Sequence, residues 1–199
     1  MDLPTRGDEE LALAYKAGDP HAFEELVRRH QGRVYAIAYR ITGNREDALD
    51  VAQDAFVKAF RKIDAWQPTG GFLPWLLRLT VNQSIDATRR RKRRRHESLD
   101  ESGIEALAVA DTLTPGIDTE RRVRAGEIAA RVQAALEVLS PTQRSVFVMR
   151  HYEGLQLAEI AEVLGCTVGS VKVHLFRALR KMQVQLKDFV NPEPGLNDN

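Results

Sequence analysis

Apolar residues recur at helical spacing along nearly the whole chain, and no stretch keeps the strict alternation that a half-buried strand would show. Asp19 is placed to cap a first helix with Pro20 at its opening position. Phe23, Leu26, Val27, Val34, Ile37, Ala38 and Ile41 then form one apolar face. Gly43 is a stop signal, and Asn44 can cap the next helix with Asp47 in its first turn. That helix gathers Ala48, Val51, Ala52, Ala55, Ala59 and Ile63 on one side, while Asp50, Asp54, Lys58 and Arg61 point away. After the turn-rich QPTGG, the segment FLPWLLRLTVNQSIDATRRRKRRR reads as a further helix, with Trp75, Leu76 and Leu77 in its core.

From His96 to about residue 120 the periodicity fades into small, polar and acidic residues with Pro115–Gly116 near the end, which predicts a linker. A second helical block follows. Ile128, Val132, Ala135, Leu136 and Leu139 make its first stripe, and Ser140–Pro141 opens the next helix. Leu157, Ile160, Ala161 and Leu164 form a short stripe that Gly165-Cys166-Thr167 interrupts. Thr167 can cap a last helix whose Val171, Leu175, Leu179 and Met182 continue the core. The expectation is all-α: two small helical domains, 8–95 and 123–187, a flexible linker at 96–122 and a disordered tail at 188–199.

Charge sharpens this picture through its distribution. The net charge is only +1, yet residues 89–95 are seven consecutive cations, whereas residues 96–139 hold nine acidic groups against four basic ones. On residues alone, the basic run fits a solvated hinge, a sorting signal or a grip on a polyanion. The acidic linker is a candidate intramolecular cover for it. A single cysteine, Cys166, excludes an internal disulfide and a cysteine-rich metal site, and reads as a small buried residue. The start of the chain lacks the apolar core of a signal peptide, and no apolar run approaches membrane-spanning length. The expectation is a cytoplasmic protein with no membrane insertion, no cofactor, no metal and no catalytic constellation.

Two short apolar stripes separated by a glycine turn have helix-turn-helix spacing. The last helix also carries Lys172, Val173, Phe176, Arg177, Arg180 and Lys181 opposite its core face. Cations on that side suit guanine edges or phosphates in the major groove, and an aromatic suits a thymine methyl. A basic amphipathic helix in a purely structural bundle is the competing reading.

Taken together, the two halves resemble the extracytoplasmic-function (ECF, group 4) sigma factors of bacterial RNA polymerase. AFEELVRRHQGRVYAIAYRITGNREDALDVAQDAFVKAF and FLPWLLRLTVNQSIDATRRRKRR resemble the family's first domain, and LSPTQRSVFVMRHYEGLQLAEIAEVLGCTVGSVKVHLFRALRKM resembles its second. The resemblance implies a promoter-specificity subunit that binds core RNA polymerase, reads −35 and −10 promoter DNA and is restrained by a cognate anti-sigma factor. It implies polymerase docking through Leu49, Asp50, Gln53 and Asp54, in a helix whose family pattern here reads Asp47, Ala48, Asp50, Gln53 and Phe56. It places −10 recognition and melting on Trp66, Phe72, Arg78 and Asn82, with Arg89, Arg90, Arg91, Lys92 and Arg93 holding phosphates. It places −35 recognition on Arg150, Lys172, Val173, His174, Phe176, Arg177 and Lys181, with Val173 and His174 departing from the residues common there. An ordinary helix-turn-helix regulator would account for the second half alone.

Overall fold

The computed structural model describes residues 5–97 and 119–190, with side chains between 5 and 94 and between 126 and 187. Among the described residues there are eight α-helices, two short 3-10 turns and no strand. Helices α1 (Asp8–Lys16), α2 (Pro20–Thr42), α3 (Arg45–Lys62) and α4 (Phe72–Glu97) form the first group. Helices α5 (Thr119–Glu137), α6 (Pro141–His151), α7 (Leu157–Leu164) and α8 (Val168–Val190) form the second.

The local signals act as the sequence predicts. Asp19 accepts from the amide of His21, and Asn44 from that of Asp47, so both side chains cap helix N-termini. Gly43 ends α2 in the left-handed region, φ +68°, with its amide donating to Tyr39. Ser140 and Gln143 satisfy each other's amides in a capping box at α6. Helix α1 has no counterpart in the sequence reading. It is held by Leu11 and Ala12, both fully buried, and by Asp8, which pairs with Arg29 and lies 2.6 Å from His30. Arg28 and Arg29 hold the Glu25 carboxyl down to about 2, which makes this corner a continuous ionic cluster.

The first core joins Leu11, Phe23, Leu26, Ala55, Ala59, Ile63, Trp66, Phe72 and Leu76. Helix α4 packs on α3 with Ala87 against Ala48 and Val51. Thr80, Ser84 and Thr88 each donate a hydroxyl to the carbonyl four residues earlier, so these polar groups are satisfied where they are covered. The second group has its own core of Ala135, Leu136, Leu139, Ala178 and Met182.

Three expectations need correction. Leu179 is exposed, because Ala178 takes the inward position between Leu175 and Met182. Cys166 is exposed in the α7–α8 turn, since Gly165 turns the chain outward before Thr167 caps α8. The helix that carries the basic run continues through His96 to Glu97, past the expected start of the linker. Of the acidic linker proposed to cover the basic run, residues 98–118 lie outside the described residues, while 96–97 continue α4 and 119–122 open α5; of the tail, 188–190 continue α8 and 191–199 lie outside the described residues.

The two groups also pack against each other. A third cluster joins Ile37, Ile41, Leu77, Val81 and Ile85 of the first to Val146, Val148, Met149, Ile160, Ala161 and Val163 of the second, all buried. Arg144 donates to the carbonyl of Ile41 at 2.8 Å, Arg33 pairs with Glu153, and the Arg40 guanidinium lies 4.3 Å from the centre of the Tyr152 ring.

Candidate polymerase and nucleic-acid interfaces

Three surfaces carry the residues singled out by sequence. On α3, Leu49, Asp50, Gln53 and Asp54 all face solvent, with Leu49 half-exposed. Asp50 and Asp54 border a small cavity of about 70 Å³ that Arg90 and Arg94 close from α4. Gln83 donates to Asp54 at 3.4 Å, and Arg91 lies 3.7 Å from Asp47. The cationic end of α4 therefore leans over the acidic face of α3. This divides the basic run. Arg91 turns toward Asp47, whereas Arg89, Lys92 and Arg93 face solvent.

On α4, Arg78, Asn82, Asp86, Arg89 and Arg93 recur at three- and four-residue steps and are all exposed, so they share one outward stripe. Asp86 within that stripe is an acid that the sequence reading did not single out. The loop before α4 differs from expectation. Trp66 and Phe72 are buried, 2% and 0% exposed, although Trp66 borders the cavity that Trp75 lines. Their rings meet edge to face at 6.0 Å, and the Trp66 indole donates to the Gly71 carbonyl at 3.1 Å. Helix α1 fixes this loop from outside. Lys16 donates to the carbonyls of Asp64 and Trp66, and Glu9 accepts from the amide of Phe72.

Trp75 is the aromatic that the sequence assigned to the core and the structure leaves half-buried. It lines a cavity of about 430 Å³ together with Gln67, Thr69, Pro74 and Arg78. The opposite wall comes from α7, through Glu159, Glu162 and Val163. The sequence reading placed Trp75 in the core and the Trp66–Phe72 pair in a loop open to DNA. Only the packing of α1 across the loop tells them apart.

On α8, Gly165 in the left-handed region and the Thr167 cap set the helix-turn-helix angle. Lys172, Val173, Phe176 and Arg177 project outward, and Phe176 is 62% exposed. The Phe176 ring thus lies outside the core, with the Arg180 guanidinium 5.9 Å from its centre. Of the other three candidates here, two bond within the protein and the third is half-buried. Arg150 is half-buried and donates to the Leu155 carbonyl at 2.9 Å, closing the α6–α7 turn. Lys181 reaches the Val138 carbonyl at 3.4 Å. His174 is half-buried with its Nδ1 enclosed. Among the described residues, no cluster of His, Cys, Asp or Glu has metal-binding geometry, and no helix is long and apolar enough to cross a membrane.

Comparison with known proteins gives these surfaces a common origin. Residues 26–94 match the family model "Sigma-70 region 2", and residues 129–182 match "Sigma-70, region 4". The first spans α2 to α4 and the second the helix-turn-helix, so the class is that of the sigma-70 factors. The ECF RNA polymerase sigma factor SigW of Bacillus subtilis is 32% identical over 174 residues, 87% of this chain and 93% of that protein. SigE of Mycolicibacterium smegmatis is 37% identical over 169 residues, 85% of this chain, which spans 62% of that longer relative. Among solved structures, CnrH bound to the cytosolic domain of CnrY superposes with a TM-score of 0.64 at 29% identity, over 90% of this chain and 97% of that one. RpoE of Bartonella quintana, solved with the anti-sigma factor NepR, shares the fold with a TM-score of 0.65 at 24% identity, over 83% and 96% of the two chains. The chain belongs to the ECF sigma factors of RNA polymerase. It is an alternative sigma factor acting in transcription initiation, and the match across its first half disfavours a conventional helix-turn-helix regulator.

Proposed function

We propose that the two helical groups divide the sigma-factor task. Residues 8–95 dock on core RNA polymerase and read and open the −10 element, residues 96–122 tether, residues 123–187 read the −35 element, and residues 188–199 form a tail. Docking falls to the α3 face of Leu49, Asp50, Gln53 and Asp54. Arg78 and Asn82 contact the −10 strand, with Trp75 replacing Trp66 and Phe72 as the stacking aromatic. Arg89, Lys92 and Arg93 hold phosphates beside it, which adds affinity without reading sequence. Lys172, Val173, Phe176 and Arg177 enter the −35 major groove.

The observation that carries this reading is the α8 surface: a half-apolar, cationic face, left open at the second helix of a helix-turn-helix. The chain acts by binding, and RNA synthesis belongs to the polymerase. Its place of action is the bacterial cytoplasm, with the polymerase. CnrH and the Bartonella RpoE were each solved with a partner, the latter an anti-sigma factor, and this chain is assigned a partner of the same kind.

The test is association with purified bacterial core RNA polymerase at moderate salt, with an unrelated basic helix-turn-helix protein as control. One-to-one binding that a primary sigma factor displaces supports the reading. A folded protein that fails to bind overturns it.

A further inference from the structure

The loop that precedes α4 turns Trp66 and Phe72 inward and leaves Gln67 and Thr69 exposed, beside Trp75 and Arg78 on the wall of one cavity. A loop has no helix ladder to satisfy its backbone, so its shape depends on where its carbonyls and amides find partners. Part of the answer is internal. The Trp66 amide donates to the Ile63 carbonyl, the Gly71 amide to the Pro68 carbonyl, and the Trp66 indole to the Gly71 carbonyl.

The rest comes from α1, far away in sequence. The Lys16 ammonium donates to two carbonyls at once, Asp64 at 3.1 Å and Trp66 at 3.2 Å. The Glu9 carboxylate accepts from the Phe72 amide at 3.1 Å, at the first residue of α4. A carboxylate suits that position, because a helix N-terminus carries unpaired amides and partial positive charge. Gly71 stands beside this contact at φ +70°, where a side chain would meet Pro74 at 3.3 Å and Glu9 at 3.5 Å. One end of the loop is thus held by a cation and the other by an anion, both from one helix.

Neither bond is the main anchor of its element. Helix α1 is held by buried Leu11 and Ala12 and by Asp8 on Arg29, and the loop by the burial of Trp66 and Phe72. Lys16 and Glu9 are themselves exposed. What they add is orientation, since fixing the backbone at both ends presents Gln67 and Thr69 to the cavity in one arrangement. A site ordered before its ligand arrives is spared the entropy that ordering would cost on binding.

We propose that Lys16 and Glu9 are positioning residues for the −10 strand, holding the 64–72 loop in the form that stands beside Trp75 and Arg78. This extends the strand-reading site to α1, which precedes residues 26–94, the span that matches the family model. The proposal rests on the assignment of Trp75 and Arg78 to that strand.

The experiment uses holoenzyme formed with purified bacterial core RNA polymerase on a barcoded promoter library randomised in its −35 and −10 elements. Sequencing the transcripts gives the base preference at each position, and backbone amide exchange of the free protein reads the loop directly. Lys16→Met and Glu9→Ala should each speed exchange over residues 64–72 by about tenfold, the loss of one hydrogen bond to a charged group, while α2 and α3 keep their rates. Each should also lower transcription per bound polymerase by about tenfold and flatten the −10 preference, with the −35 preference intact. Lys16→Arg and Glu9→Gln, which keep a charged donor and a carbonyl acceptor, should recover both. Unchanged exchange in the loop overturns the clamp. Faster exchange with an unaltered −10 preference overturns the positioning role, as does a transcription loss that only tracks the folded fraction. In those cases Arg78→Ala and Trp75→Ala on the same library locate the error: a flattened −10 preference means that only the role of α1 was wrong, and an intact one means that the strand assignment itself has failed.

Discussion

Arg144 and Ile41 lie 103 positions apart, yet the Arg144 guanidinium donates to the Ile41 carbonyl at 2.8 Å. Burial pulls the Arg144 pKa down to about 10, so the group is still a cation at neutral pH. Its compensation is the end of α2, where unpaired carbonyls concentrate partial negative charge, together with the nearby Glu137 carboxylate. The same spot holds Gly43, and a side chain there would meet Glu137 at 3.1 Å and Arg144 at 3.4 Å. One helix end therefore serves as a terminator within the first group and as the receptor for the second.

Gly43→Ala tests both roles. The φ of +68° is unfavourable for alanine, and the new methyl must displace Glu137 or Arg144. The expected loss is about 1–2 kcal/mol, or a fall of about 2–8 °C in melting temperature for a chain of this size. Gly32→Ala is the control, since Gly32 sits inside α2 with open space around it. That change should raise stability by about 0.5–1 kcal/mol. Thermal unfolding followed by circular dichroism reads both, and equal destabilisation would show that Gly43 has no special role.

The two tryptophans should separate structure from function. Trp66→Ala removes a buried ring and its hydrogen bond to Gly71, at a cost of about 3–5 kcal/mol, and its transcription defect should follow the loss of folded protein. Trp75→Ala, at a half-buried site on the cavity wall, should leave most of the stability intact while weakening promoter opening. Denaturation midpoints measured beside permanganate footprinting of the melted start region would distinguish them. A Trp75→Ala protein that is as unstable as Trp66→Ala, or that opens promoters normally, would remove Trp75 from the site.

How much of this was legible beforehand depended on whether the signal was local. Asp19, Asn44, Ser140 and the turn glycines act on their own neighbours, and the sequence places them correctly. The order of helices α2 to α8 follows from apolar spacing in the same way. Helix α1 escaped because its nine residues bury only Leu11 and Ala12, too little apolar content to establish a period. The roles of Trp66, Phe72 and Arg144 were hidden for a different reason. Each is decided by a partner element, and neither hydropathy nor spacing records which arginine meets a buried carbonyl. The docking of one group on the other escaped likewise, because Leu77 and Val81 serve an internal core and an interface with the same chemistry.

The α3 surface yields a cleaner separation, since its candidates face away from the core. Asp50→Ala combined with Gln53→Ala should leave the melting temperature within a degree or two, as surface changes outside special sites shift stability by about 0.5 kcal/mol or less. Affinity for core polymerase should fall by about tenfold or more if these groups meet a charged partner surface. Competition against a labelled primary sigma factor provides the measurement. Unchanged affinity would move the docking face off α3.

Arg177 and Arg89 should fail in different ways, because base contacts and phosphate contacts respond to different variables. Arg177→Ala should cost about 1–3 kcal/mol on the preferred −35 duplex and much less on scrambled DNA, with polymerase binding spared. Arg89→Ala, or Arg93→Ala, should weaken binding to every sequence alike and lower the salt dependence, log K against log salt, by about one. The Arg91 side chain is oriented toward Asp47, so its removal should change that slope less than loss of Arg89 does. Titrations of the polymerase complex on matched and scrambled duplexes at three salt concentrations measure all of these at once. Equal slopes for Arg89→Ala and Arg91→Ala would mean that the Asp47 pair dissolves on DNA, leaving the whole basic run available to phosphates.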